Sequence, residues 1–212
     1  MSAKAGKASV HPGRNMMRVY LAGPEVFLPN ARAVLDAKIE LTRRHGFTPV
    51  SPGDLEIPTQ PTKRDFGLAI SAVNEKLMLS ADAIIANLTP FRGIAADTGT
   101  VYELGFMCAR GCPAFAFSNV AQSHFERLQV YYGGQVADDA EGRPRGSDGL
   151  AVEDFDMAEN LMLDGGIEAR GGAFVTRSAA PGKLFEDLAA FEECLRIAAG
   201  RLLTGGTPSS SS

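Results

Sequence analysis

The feature that most constrains this chain is the alternation of short apolar runs with longer segments of helical period. R-V-Y-L-A (18–22), F-T-P-V (47–50), D-A-I-I-A-N-L (82–88), P-A-F-A-F (113–117) and G-A-F-V-T (172–176) are too short for helices and mostly apolar. Strands covered on both faces read this way. Between them, residues 30–45 carry Val34, Leu35, Ile39 and Leu41 among charges and stop at Gly46. Residues 65–80 carry Phe66, Leu68, Ile70, Val73, Leu77 and Leu79 at mostly helical spacing, and a closing helix is expected over 183–201. Strand and helix in alternation predict a single-domain α/β fold, a doubly wound parallel sheet of about five strands. Its ligand site lies beyond the carboxyl ends of the strands. Gly23-Pro24, the loop 51–54, T-P-F-R-G (89–93) and the helix after Asp97 all follow strands and so share that edge.

The segments outside this pattern are polar. Residues 1–16 and 204–212 are small residues rich in Gly, Pro and Ser, expected to be disordered tails around a domain at 17–203. Residues 118–150 form a longer, more polar connection, read as a disordered surface excursion or as a lid over the site.

Charge and cysteine usage narrow the partners. A net charge of -4 without a basic run argues against nucleic acid. No apolar stretch approaches the ~20 residues that span a bilayer, and no secretory signal is present, so no membrane partner and a cytoplasmic location are expected. Cys108, Cys112 and Cys194 form no C-x-x-C set, and His11, His45 and His124 have no ligand-like spacing. Neither a disulfide framework, a metal nor a cofactor is expected. Triphosphate-loop, dinucleotide and nucleophile-elbow motifs are missing as well.

One residue stands out against this background. From Val101 to Ala109 every position except Glu103 is apolar, glycine or Tyr102, so the helix should be covered nearly all round. An unpaired buried carboxylate would cost several kcal/mol, roughly, so Glu103 is paired or opens into a cavity. Asp97 precedes Thr98-Gly99-Thr100 and takes the position of the helix N-cap. An acid in the second turn of such a helix is a candidate nucleophile toward carbon, as in displacement at an anomeric centre.

Four stretches carry a resemblance: V-Y-L-A-G-P-E-V-F (19–27), I-A-N-L-T-P-F-R-G (85–93), A-D-T-G-T-V-Y-E-L-G (96–105) and E-N-L-M-L (159–163). In this order they resemble the nucleoside 2-deoxyribosyltransferase family, over about residues 18–163. The resemblance implies a flavodoxin-like fold and exchange of the base of a 2'-deoxynucleoside with a free nucleobase. Glu103 resembles the nucleophile that attacks C1' and forms a covalent deoxyribosyl-enzyme. Tyr20 resembles the tyrosine that orients it, and Asp97 the aspartate that holds a sugar hydroxyl or helps protonate the base. Glu75 falls where members often have an aspartate facing the base, Phe27 and Phe91 would stack on it, and Gly23 would border the substrate. Asn160 and Met162 resemble a pair donated by a neighbouring subunit, which implies at least a homodimer with shared active sites. Two alternatives remain. Deoxynucleoside 5'-monophosphate N-glycosidases share fold and glutamate but hydrolyse, and hold phosphate with serines where this chain has Asn160-Leu161-Met162. A binding module for nucleosides or nucleotides would use the pocket without turnover.

Overall fold

The computed structural model describes residues 16–204. Five parallel strands form one sheet in the order β2-β1-β3-β4-β7: β1 (Arg18–Ala22), β2 (Thr48–Val50), β3 (Ala83–Asn87), β4 (Ala114–Ser118) and β7 (Phe174–Thr176). Each pair is parallel, with Tyr20 level with Ile84 and Ala86 level with Ala116. This is the flavodoxin-like arrangement, in which the chain reverses direction of sheet growth between β1 and β3.

Alternation along the strands decides which helices cover which face. Tyr20, Ala22, Ile84, Ala86, Ala114 and Ala116 point to one side, with Leu77 and Met78 of α2 (Lys63–Leu79), Leu104 and Met107 of α3 (Thr98–Ala109) and Ile167 of α5 (Leu161–Glu168). Val19, Leu21, Ile85, Phe115 and Phe117 point to the other, with Leu41 of α1 (Ala31–Arg44) and Phe191, Cys194 and Leu195 of α6 (Ala189–Leu202). The period of two in the strands thus becomes two separate apolar clusters. Gly46, at φ +86°, follows α1 where the sequence places its stop.

Two expectations change. Residues 118–150, read as disordered or as a lid, are ordered: they hold α4 (His124–Tyr131) and a short antiparallel hairpin of β5 (Ala137–Asp138) and β6 (Pro144–Arg145). A capping box of Ser123 and Glu126 starts α4. Buried Arg127 ties the helix down by donating to the carbonyls of Ile94, Gln122 and Ala158 and to the Glu159 carboxylate. The closing helix begins at Ala189 instead of 183, because the Asn119 amide takes the carbonyls of Leu184 and Asp187 at 2.8 and 2.9 Å. The tails 1–15 and 205–212 lie outside the described residues.

Candidate active site

The segments that follow β1, β2 and β3 enclose a cavity of about 410 Å³ at the switch point between β1 and β3. Gly23, Val26 and Phe27 come from the turn after β1, and Pro52, Gly53, Leu55 and Ile57 from the loop after β2. Ile70, Val73 and Asn74 come from α2, and Asp97, Gly99, Thr100 and Glu103 from the start of α3. No residue of 118–150 lines it.

Tyr20 and Glu103 meet at this cavity because Tyr20 points to the α3 side of β1. Its hydroxyl donates to Glu103 Oε1 at 2.7 Å. Burial, then the neighbouring Glu103 charge, hold the phenol above its ordinary range, so Tyr20 stays the donor. Burial also pushes the Glu103 carboxyl up to about 7; the Tyr20 hydrogen bond pulls it back and Asp97 adds to the rise. Asp97 caps α3, its Oδ2 accepting from the Thr100 amide at 3.0 Å and from the Thr100 hydroxyl at 3.1 Å. The result is a carboxyl with one oxygen tethered, held by a rigid helix in a partly desolvated cavity, which is the geometry of a nucleophile toward carbon.

Beneath this lies a polar network that the sequence reading passed over. Lys38 of α1 and Glu25 of the turn after β1 form a buried ion pair at 2.6 Å. Asn87, at the end of β3, donates to the same Glu25 oxygen at 3.0 Å. Lys38 also sits over the rings of Phe117 and Phe191, at 5.4 and 5.0 Å. The pair pins the turn that carries Gly23 and Phe27 onto the sheet, and breaking such a pair from one side costs ~3–5 kcal/mol. Gly23 itself has no room for a side chain: a Cβ there would fall 1.9 Å from Glu25 Oε2. The signal was available, because Lys38 stands in the buried stripe of α1 with Val34, Leu41 and Thr42.

The remaining candidates divide. Phe27 lines the cavity and stacks on Phe91, centroids 5.4 Å apart. Phe91 does not line it; it backs Phe27, and Arg92, at φ +54°, lays its guanidinium over both rings at 5.0 and 4.6 Å. Glu75 also lies outside the lining, its carboxylate accepting from the Tyr102 hydroxyl at 3.0 Å; its neighbour Asn74 faces the cavity instead. Asn160 caps α5 through the Met162 amide and donates to both oxygens of Glu153. Met162 is 72% exposed. Neither reaches the cavity of its own chain. Nor is α3 covered all round, as the sequence suggested: Tyr102 is 57% exposed, and Gly105 and Ala109 are exposed along the same side.

Fold and cavity together define a flavodoxin-like α/β protein with a small-molecule site centred on a tethered carboxyl. The family model described as nucleoside 2-deoxyribosyltransferase matches residues 19–162, and the chain belongs to that family, which points to an enzyme of deoxyribosyltransferase or glycosidase type. Uncharacterized protein C191.05c of Schizosaccharomyces pombe is 32% identical over 166 residues, covering 73% of this chain and 78% of that protein. Among solved structures, the 2-desoxiribosyltransferase from Leishmania mexicana is similar with a TM-score of 0.59 and 28% identity, over 88% of this chain and 99% of the other. A conserved protein from Enterococcus faecalis V583 shares the fold at a TM-score of 0.53 and 19% identity, over 86% and 98% of the two chains.

Proposed function

We propose that this protein exchanges the base of a 2'-deoxynucleoside through a covalent deoxyribosyl-Glu103 intermediate. The observation that carries the reading is the hydrogen bond from buried Tyr20 to Glu103 at the cavity wall, which fixes one carboxylate oxygen and leaves the other for C1'. In the first step a C1'–O bond to Glu103 forms as the C1'–N bond breaks, and the electron pair leaves with the base, which takes a proton from a neighbouring acid. In the second, a ring nitrogen of an incoming base attacks C1', returns its proton to that group, and the C1'–O bond breaks to release the Glu103 carboxylate. Two inversions give retention. Asp97, whose Oδ2 is occupied by the helix start, has Oδ1 for a sugar hydroxyl.

Phosphate recognition finds little support, since the lining among the described residues contains no lysine, arginine or serine. Together with Asn160-Leu161-Met162, where the N-glycosidases carry phosphate-holding serines, this favours an unphosphorylated nucleoside as the substrate class. The test is incubation with 2'-deoxyinosine and adenine, then with 2'-deoxyuridine and adenine, followed by chromatography. New 2'-deoxyadenosine is expected, with Glu103→Ala lowering its formation by at least ~10²-fold, the scale on which a missing nucleophile acts. Free hypoxanthine or uracil without new nucleoside would mean hydrolysis, and turnover by Glu103→Ala at the wild-type rate would refute the assignment of Glu103.

A further inference from the structure

Resting on that reading, we propose that Arg92 is a positioning residue: its guanidinium braces the Phe27 ring, so that this wall of the cavity is already set when the flat face of a base arrives. The cavity has two ends of different chemistry. Asp97, Thr100 and Glu103 gather at the start of α3, whereas Val26, Phe27, Leu55, Ile57, Ile70 and Val73 make an apolar slot. A planar heteroaromatic ring suits the slot, and a sugar suits the polar end. Phe27 is the one aromatic side chain in the lining among the described residues, yet it is 55% exposed at the end of a single 3-10 turn (Pro24–Phe27). A ring placed there has little burial of its own to hold it.

Arg92 supplies what burial does not. Its guanidinium carbon lies 5.0 Å from the Phe27 centroid and 4.6 Å from that of Phe91, and the two centroids are 5.4 Å apart. The cation therefore bridges the stacked pair instead of sitting on one ring, while Phe185 backs Phe91 edge-on at 5.8 Å. Arg92 makes no hydrogen bond or ion pair among the described residues, so the two rings are what its charge meets. Its backbone stands in the left-handed region at φ +54°, although Gly93, which adopts that conformation without strain, is next in the chain. Asp156 is the only other described non-glycine residue there, and aspartate tolerates it. Strain of this kind persists where the surroundings demand it, and it clusters at ligand clamps.

The brace acts through entropy. A half-exposed ring that hops between rotamers must be fixed when a ligand stacks on it, which costs up to about tenfold in affinity for one side chain. A ring held beforehand is spared that loss. Stacking reads the face of a heterocycle and not its edge, so the gain is shared by flat bases whatever they carry at the rim. Because Arg92 acts on the slot and not on Glu103, it bears on binding and leaves the bond-making step alone.

The experiment measures binding of free adenine and of unsubstituted purine to wild type, Arg92→Asn and Arg92→Lys by ligand-observed NMR, which needs no turnover. Asparagine accepts the left-handed backbone but has no cation to lay over the rings, whereas lysine keeps one. Arg92→Asn should bind both bases roughly three- to tenfold more weakly than wild type, by the same factor and with an unchanged melting temperature, and Arg92→Lys should recover part of the loss. In the transfer assay the concentration of incoming base at half-maximal rate should rise by that factor in Arg92→Asn while kcat changes by less than about twofold. Unchanged binding by Arg92→Asn overturns the proposal. So do losses that differ between the two bases, a lysine variant no better than the asparagine one, a melting temperature that falls with the affinity, or no binding of either base to wild type. Failure of the transfer assay with the binding pattern intact would remove the exchange reaction and leave the brace standing.

Discussion

Glu103 is ionised only in part at neutral pH, since burial raises its carboxyl from the ordinary 4.5 to about 7. On the proposed reading its reactive form is the carboxylate, so kcat/KM should fall as pH drops through about 7, where the proposed nucleophile takes up its proton. The same shift bears on stability with the opposite preference. The folded state holds this proton more tightly than the unfolded one, so stability falls as pH rises from about 4.5 to about 7, and above that window the charge costs ~3 kcal/mol. Glu103→Gln, which can still accept from Tyr20, should therefore raise the unfolding free energy at pH 8 by up to ~3 kcal/mol and change it little near pH 4. Urea melts at the two pH values measure this, and equal stabilities at pH 8 would show that Glu103 is not held desolvated. On the proposed reading Glu103 weakens the fold when charged and does its chemistry only when charged, the energetic profile of a strained catalytic group.

At the scale of the element, α3 depends on Asp97 for its start and Glu103 feels Asp97 as a like charge. Asp97→Asn keeps a side-chain oxygen for the Thr100 amide but removes the charge, so the acid limb of kcat/KM should move to lower pH with little change in melting temperature. Asp97→Ala should add a loss of about 1 kcal/mol from the missing cap. An Asn variant with an unmoved limb would mean that the field of Asp97 does not reach Glu103. Much of this was legible beforehand. The strand runs and the apolar surroundings of Glu103 are local signals, and the cap at Asp97 is a motif of four residues. What escaped depends on rotation and on distant partners. Glu75 and Asn74 differ by 100° around α2, and only the stripe of Ile70, Val73 and Leu77 tells which one points inward. The late start of α6 is set by Asn119, far away in sequence, and the order of residues 118–150 by the buried Arg127, neither of which periodicity can show.

For the whole molecule, Asn160 and Met162 stand apart from the cavity of their own chain, and exposed Tyr102, Leu161 and Met162 mark the side of α3 and α5 that a second copy would cover. The exchange reading therefore expects a dimer or larger assembly in analytical ultracentrifugation. Met162→Glu should weaken both association and transfer, whereas a monomer with full activity would sink the shared-site arrangement. The sheet order has a further consequence. After β1 and β2 pair, each later strand of the main sheet joins the same outer edge: β3 on β1, β4 on β3, β7 on β4. Growth in space therefore follows the order in which the ribosome delivers the chain, so no strand must be threaded between two already paired. Every residue of this chain that walls the cavity, from Gly23 to Glu103, has been synthesised before β4 arrives to cover the free edge of β3, the middle strand. The half that carries the cavity is thus the first half made, and its long parallel crossovers, the slow kind of contact to close, are given the longest time to form.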